Sequence, residues 1–222
     1  LKTEIILIRH GETEWNAVRR LQGHTDIVLN AEGERQAAAL GVSLQQERLV
    51  AIISSDLQRA KQTAKAVANW HGLPVQIDPA LRERCFGGFE GLKYDEIVHR
   101  YPAEFAAWQA REPDVMLPKD EAGNAAETFR QFYHRCLQAF ETWAKRYPGQ
   151  TIALVAHGGV LECAYLAACE IPLGTARNFQ VFNASVNRLS WEDGKLSLRV
   201  WGDCAHLETV PMNLNAGDGV AV

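Results

Sequence analysis

Twice in this chain, near its start and again far downstream, an apolar run stops abruptly in histidine and glycine. The first is Ile5-Ile6-Leu7-Ile8, followed by Arg9-His10-Gly11. The second is Thr151-Ile152-Ala153-Leu154-Val155-Ala156, followed by His157-Gly158-Gly159. Runs this apolar, rich in β-branched residues, read as strands covered on both faces, which belong to a parallel sheet sandwiched between helices. In such a sheet ligands gather where the strands end at their carboxyl edge. If the two strands are parallel neighbours, His10 and His157 emerge there side by side. Gly158 and Gly159 would then open a helix from Val160 to Ala168, with backbone N–H groups ready for an anion. Arg9 and two imidazoles beside that helix end make a phosphate-like pocket. Gly11 lets a ligand or another backbone come close. A lone strand-end histidine would be read as hydrogen-bonding a neighbour; the recurrence is what points to a site.

The rest of the chain fits the same class. Trp15 to Leu29 lacks a sustained period and reads as a loop dense in hydrogen-bonding groups, with His24 and Asp26 stabilising it. Asn30 caps a helix over Ala31 to Gln46. Leu49 to Ser54 is a second buried strand and Val75 to Ile77 a third, with a helix from Leu57 to His71 between them. Arg59 in the first turn of that helix opposes its dipole, which favours a phosphate-binding role. Glu83, flanked by Arg82 and Arg84, reads on base rates as a surface ion-pairing carboxylate. Residues 92–123 look like a cap-like insertion, helical from Tyr94 to Arg111, with Phe89, Tyr94, Phe105, Trp108 and Met116 as its apolar stripe. A long helix spans Ala125 to Tyr147. Ala184 to Trp191 and Lys195 to Trp201 form a hairpin around Glu192-Asp193-Gly194. One domain is expected over 1–210, with a loose tail over 211–222.

Taken in order, Arg9-His10-Gly11-Glu12-Thr13 with Trp15-Asn16, Ser54-Ser55-Asp56-Leu57 with Arg59-Ala60 and Gln62-Thr63-Ala64, Leu81-Arg82-Glu83, Phe86-Gly87 and His157-Gly158-Gly159 resemble the histidine phosphatase superfamily, which includes the cofactor-dependent phosphoglycerate mutases. The resemblance covers nearly the whole chain. It implies an α/β fold: a single-domain, three-layer α/β/α sandwich with a mostly parallel central sheet, phosphoglycerate mutase-like. It also implies a metal-independent phosphatase acting on small phosphomonoesters through a phosphohistidine at His10. Glu83 would be the proton donor, and Arg9, Arg59, His157 and Asn16 would hold the phosphoryl oxygens. The backbone at Gln22, Gly23 and Gly158 would line the pocket. No cofactor and no metal are expected. Mutases of the family carry a tyrosine where this chain has Phe86, a lysine near Tyr94 and paired arginines near Gln109-Ala110. Those departures favour hydrolysis, although Lys93 or Arg111 could substitute in part.

Composition removes other classes. A net charge of -4 over 222 residues argues against a general nucleic-acid or membrane-surface binder, so phosphate affinity must come from locally placed cations. The five cysteines form no Cys-x-x-Cys pair and suit a reducing, cytoplasmic setting. The first apolar run is too short for a signal peptide or a membrane span. The partner expected is a small-molecule phosphomonoester, with no nucleic acid and no membrane; a homodimer is left open. Three alternatives compete with hydrolysis: phosphoglycerate mutase, a non-catalytic phospho-ligand-binding module, and a metal hydrolase built on His10, His157, His24 and Asp26.

Overall fold

A computed structural model describes residues 1–208. The tail expected over 211–222 lies outside the described residues. Six strands form one sheet in the order β3-β2-β4-β1-β5-β6, with β1 Thr3–Arg9, β2 Leu49–Ser54, β3 Val75–Ile77, β4 Thr151–Ala156, β5 Val186–Glu192 and β6 Lys195–Asp203. The first four are parallel, and β5 and β6 add an antiparallel edge beside β1.

Three layers follow from the strand period of two. Ile5 and Leu7 of β1 join Ala51, Ile53, Ile152 and Leu154 on one face, under α6 (Phe129–Arg146) and α7 (Gly158–Ala168). Ile6 and Ile8 join Ile52, Ala153 and Val155 on the other face, under α2 (Ala31–Leu44) and α3 (Gln58–His71). Every one of these strand residues is at least 98% buried. Full burial of a side chain of this size is worth about 1.5–3 kcal/mol. Because each face is claimed, a one-residue slip would turn the whole set the wrong way. The two histidine turns are therefore held in fixed register.

Local boundaries differ from the sequence expectation where capping chemistry intervenes. The long helix begins at Phe129 rather than Ala125, because Thr128 caps it: its hydroxyl accepts from Gln131 N–H at 3.1 Å, and the Gln131 side chain accepts from Thr128 N–H at 2.9 Å. A short helix, α1 (Glu14–Ala17), interrupts the expected loop through a Thr13–Asn16 box of the same kind. The insertion holds two helices, α4 (Tyr94–Arg100) and α5 (Pro102–Gln109), instead of one. Pro102 forces Tyr101 out of helical geometry, to φ -137° and ψ 58°, then starts the next helix at its first position. β5 starts at Val186, not Ala184, because Ala184 takes a left-handed φ of 54°. Asp193 and Gly194, at φ 50° and 82°, make the two-residue turn expected of the hairpin.

The stripe of the insertion forms its own small core. Phe89, Trp108, Ile97 and Leu117 are buried there against Phe86 and Leu21, with Tyr94 and Phe105 packed on them. Met116 does not join, being 53% exposed.

Candidate active site

Strands β1 and β4 stop level, with Arg9 paired to Ala156, and His10 N–H continues the ladder to the Ala156 carbonyl at 3.0 Å. The two imidazoles consequently stand side by side, ring centroids 5.2 Å apart and planes 58° to each other. Both rings are fully buried. Nδ1 of His10 lies 2.6 Å from the carbonyl of Gly11. A carbonyl only accepts, so Nδ1 carries a proton, and in the neutral ring the lone pair is on Nε2. The His10 carbonyl is itself pinned by Asn183 Nδ2 at 3.0 Å and Ala184 N–H at 3.2 Å. The left-handed turn at Ala184 serves that second bond.

Gly11 admits a backbone, not a ligand: a Cβ there would stand 2.6 Å from the Gly33 carbonyl on α2. Gly11 N–H also donates to Thr63 Oγ1 at 3.0 Å, and that hydroxyl donates to the Arg59 carbonyl at 2.8 Å. The His10 turn and the first turn of α3 are thus tied together. Arg9 and Arg59 are both buried, at 1% and 0% exposure. Arg9 Nη1 donates to the Val181 carbonyl at 2.7 Å. Arg59 donates to the carbonyls of Thr25 and Gly23, each at 2.8 Å. These carbonyls help to orient the two guanidiniums within a dry site. Gly23 has φ 53°, which explains glycine at the carbonyl that holds Arg59.

Asn16 and Gln22, both buried, share the Thr13 hydroxyl, whose oxygen lies 3.0 Å from each side-chain oxygen and whose one proton serves either. Thr13 N–H also donates to Asn16 Oδ1 at 3.0 Å, so the amide nitrogen of Asn16 is turned to the other side. Asp26 accepts from Gln58 N–H at 2.6 Å at the start of α3, and His24 Nε2 donates to the Glu83 carbonyl at 2.9 Å. These are the loop-holding roles expected of the pair.

Glu83 departs most from its base-rate reading. It is fully buried, not on the surface. Its Oε1 accepts Arg84 N–H at 2.8 Å, and its Oε2 accepts Gly159 N–H at 2.9 Å. The N-terminus of α7, expected to offer anion-binding N–H groups, thus holds this carboxyl with one of them. Arg82 turns away to Asp56 at 2.7 Å. A half-buried clamp grips the Glu83 backbone from behind. Arg135 on α6 donates to the carbonyls of Ala80, Arg82 and Glu83 at 2.9, 2.9 and 3.1 Å, and forks onto Glu127 at 2.7 and 2.8 Å. Glu127 also accepts from Cys85 N–H at 3.0 Å. Burial would raise the Glu127 carboxyl, but the Arg135 fork outweighs it and holds the group below its usual range.

The sequence matches the histidine phosphatase superfamily (branch 1) over residues 5–204. The chain belongs to that family. Among curated relatives it is similar to a metal-independent phosphoserine phosphatase of Arabidopsis thaliana, 37% identical over 99% of this chain and 89% of the relative. It is also similar to phosphoglycerate mutase-like protein 4 of the same plant, 38% identical over 92% of this chain and 87% of the relative. Among solved structures, Bacillus stearothermophilus YhfR superposes with a TM-score of 0.83 at 34% identity, covering 93% of this chain and 100% of that one. The histidine phosphatase described here is a phosphoric monoester hydrolase.

Beyond Glu83 the histidine phosphatase site opens into a small cleft of about 30 Å³, lined by Glu83, Gly159, Trp108, Arg111 and Glu162 among others. Residue-by-residue reading of the sequence did not anticipate Glu162, which faces this cleft from α7, or Arg177 nearby. Arg177 donates from Nε to the Phe179 carbonyl at 3.0 Å; burial pushes its guanidinium down to about 10, opposed by Glu162. A signal for Glu162 was present: it is the sole charged residue in the helix Gly-Gly-Val-Leu-Glu-Cys-Ala-Tyr-Leu-Ala-Ala. Among the described residues no helix is long and apolar enough to cross a membrane.

Proposed function

We propose that this enzyme hydrolyses phosphomonoesters through a phosphohistidine formed on Nε2 of His10, with Glu83 passing the proton. The carrying observation is the 2.6 Å contact of His10 Nδ1 with the Gly11 carbonyl, which fixes the tautomer a nucleophile needs. Nε2 attacks phosphorus, the P–O ester bond breaks, and the departing alkoxide takes its proton from the Glu83 carboxyl. Water then attacks phosphohistidine, gives its proton back to Glu83, and phosphate leaves. Arg9, Arg59, His157 and Asn16 stabilise the peripheral oxygens as charge shifts in the transition state. Gln22, through the hydroxyl it shares with Asn16, and Gly23, through Arg59, support this cradle from behind. The carbonyl-oriented arginines supply fixed positive charge at the place where a phosphoryl group needs it.

Retention of phosphate for a mutase cycle would require a second anion site. Arg111, one of the expected substitutes for the missing cations, is paired with Glu162, and this supports hydrolysis over transfer. The five thiols are all free, which supports a reducing, cytoplasmic setting. The test is a rapid-quench experiment with a ³²P-labelled ester. An acid-labile phosphoenzyme should appear in the native protein and vanish in His10→Ala, together with turnover. Undiminished turnover in His10→Ala would refute the mechanism.

A further inference from the structure

Two adjacent residues just ahead of β5, Asn183 and Ala184, each carry a cost that folding alone does not ask for. Ala184 is fully buried and holds a left-handed φ of 54°, a conformation that disfavours any side chain. Asn183 is 5% exposed, and its Oδ1 is buried without a hydrogen bond among the described residues. An apolar residue of the same outline would leave no acceptor unmet there. Strained backbone and under-satisfied amides persist where function holds them in place.

Both residues spend their donors on one atom. Asn183 Nδ2 and Ala184 N–H donate to the His10 carbonyl, at 3.0 and 3.2 Å. The same Nδ2 lies 3.5 Å from Asn16 Oδ1, the long end of hydrogen-bond range. These neighbours fix which way the Asn183 amide points. Thr13 N–H can only donate, so the Asn16 atom 3.0 Å from it is an oxygen. The Asn183 atom that faces this oxygen and a carbonyl must then be its nitrogen. Flanking residues complete a collar: the Val181 carbonyl accepts from Arg9 Nη1 at 2.7 Å and the Ser185 carbonyl from Arg9 N–H at 3.4 Å. His206 Nε2 donates to the Ala184 carbonyl at 3.1 Å and braces the strained residue from behind.

The contact between His10 Nδ1 and the Gly11 carbonyl joins neighbours in the chain, so it sets the tautomer but moves with the turn. The turn itself is anchored through the peptide plane between the two residues. Gly11 N–H is held by Thr63 on one side of that plane, and the His10 carbonyl by Asn183 and Ala184 on the other. Rotation of the plane would carry the Gly11 carbonyl, and the imidazole with it. We propose that Asn183 is a positioning residue for the nucleophile, its amide nitrogen fixing the plane that aims Nε2 of His10 at phosphorus. The inference rests on the proposed function, since it takes His10 as the group that is phosphorylated.

Asn183→Leu keeps the outline and removes the donor, and Asn183→Ala removes both. Misplacement by 1 Å costs an aligned reaction on the order of 10²-fold, so each variant should lose at least tenfold in kcat/KM on p-nitrophenyl phosphate. Vanadate, which copies five-coordinate phosphorus over the nucleophile, should lose inhibitory affinity in step with kcat/KM, while inorganic phosphate weakens less than threefold. A residue that only supported the fold would lower the melting temperature without producing that split. A loss below tenfold in either folded variant, equal weakening of vanadate and phosphate, or failure of both variants to fold would overturn the proposal. If that happens while His10→Ala still abolishes the phosphoenzyme, the nucleophile stands and the role of Asn183 alone fails. Turnover that survives in His10→Ala removes both.

Discussion

Gly159→Ala separates the role of Glu83 from everything else in the site. A Cβ at this position would stand 2.3 Å from Glu83 Oε1 and 2.9 Å from Phe132 Cε1. Ordinary contact begins near 3.4 Å, so the carboxyl has to retreat by roughly 1 Å, a misplacement that costs on the order of 10²-fold in an aligned reaction. General acid catalysis contributes about 10²–10⁴-fold in all, so the loss should be a large part of what Glu83 supplies. Stability should fall by about 0–2 kcal/mol. Alanine is better than glycine inside a helix by up to about 1 kcal/mol, against about 1–3 kcal/mol of crowding. The assay is kcat/KM on an alkyl phosphate, whose alkoxide cannot leave unprotonated, beside an aryl phosphate whose phenolate can. The alkyl ester should lose at least tenfold more than the aryl ester. Adding Glu83→Gln to Gly159→Ala should cost nothing further on the alkyl ester, because both changes remove one function. Equal losses on the two esters, or additive losses in the double variant, would show that this carboxyl is not the proton donor.

Three other perturbations follow from the same geometry. Arg135→Lys keeps a cation but loses the fork that grips three carbonyls and Glu127, so it should cost about 1–3 kcal/mol in a denaturant titration and lower kcat on alkyl esters more than on aryl ones; an unchanged midpoint and ester ratio would count against the clamp. Gly33→Ala places a Cβ 2.0 Å from the Glu12 carbonyl and should cost at least about 1–3 kcal/mol, so a melting temperature equal to wild type would contradict the close approach of α2. Burial lowers the pKa of His24 below its ordinary value, so the folded state binds fewer protons than the unfolded one as pH drops below about 6.5, and the stability His24 contributes above that value is lost. His24→Gln, which keeps a donor for the Glu83 carbonyl, should therefore flatten the fall in melting temperature between about pH 7 and 5; His206, also lowered by burial, leaves a residual slope. Identical slopes would refute the assignment.

What the sequence made legible is what periodicity and chain ends encode. Ile5 to Ile8 and Ile152 to Ala156 could only be buried strands, and buried parallel strands bring their ends to one edge, which is why His10 and His157 were readable as a pair. The break at Pro102 was not read, because the apolar stripe from Tyr94 to Trp108 runs across it as one helix would, although a proline at that place signals the interruption. The environment of Glu83 was not legible in the residues around it. Its immediate neighbours are two arginines, and nothing local shows that Arg82 leaves for Asp56 while a backbone N–H from residue 159 replaces it. Family resemblance pointed to Glu83 as the donor; the physical reason that it sits buried, and that residue 159 is glycine, required the fold.

The same limit explains Arg84. Adjacent to Glu83 in the chain, it shares the loop but does a different job, because the pinned carbonyls of residues 82 and 83 and the Glu127 carbonyl divide the side chains between them. Arg82 goes to Asp56, Glu83 to the end of α7, and Arg84 into the cleft. Three consecutive side chains on one clamped segment are therefore sent three different ways. A perturbation of the clamp should disturb all three at once, whereas a change at Arg84 alone should leave the Glu83 carboxyl held by Gly159 N–H.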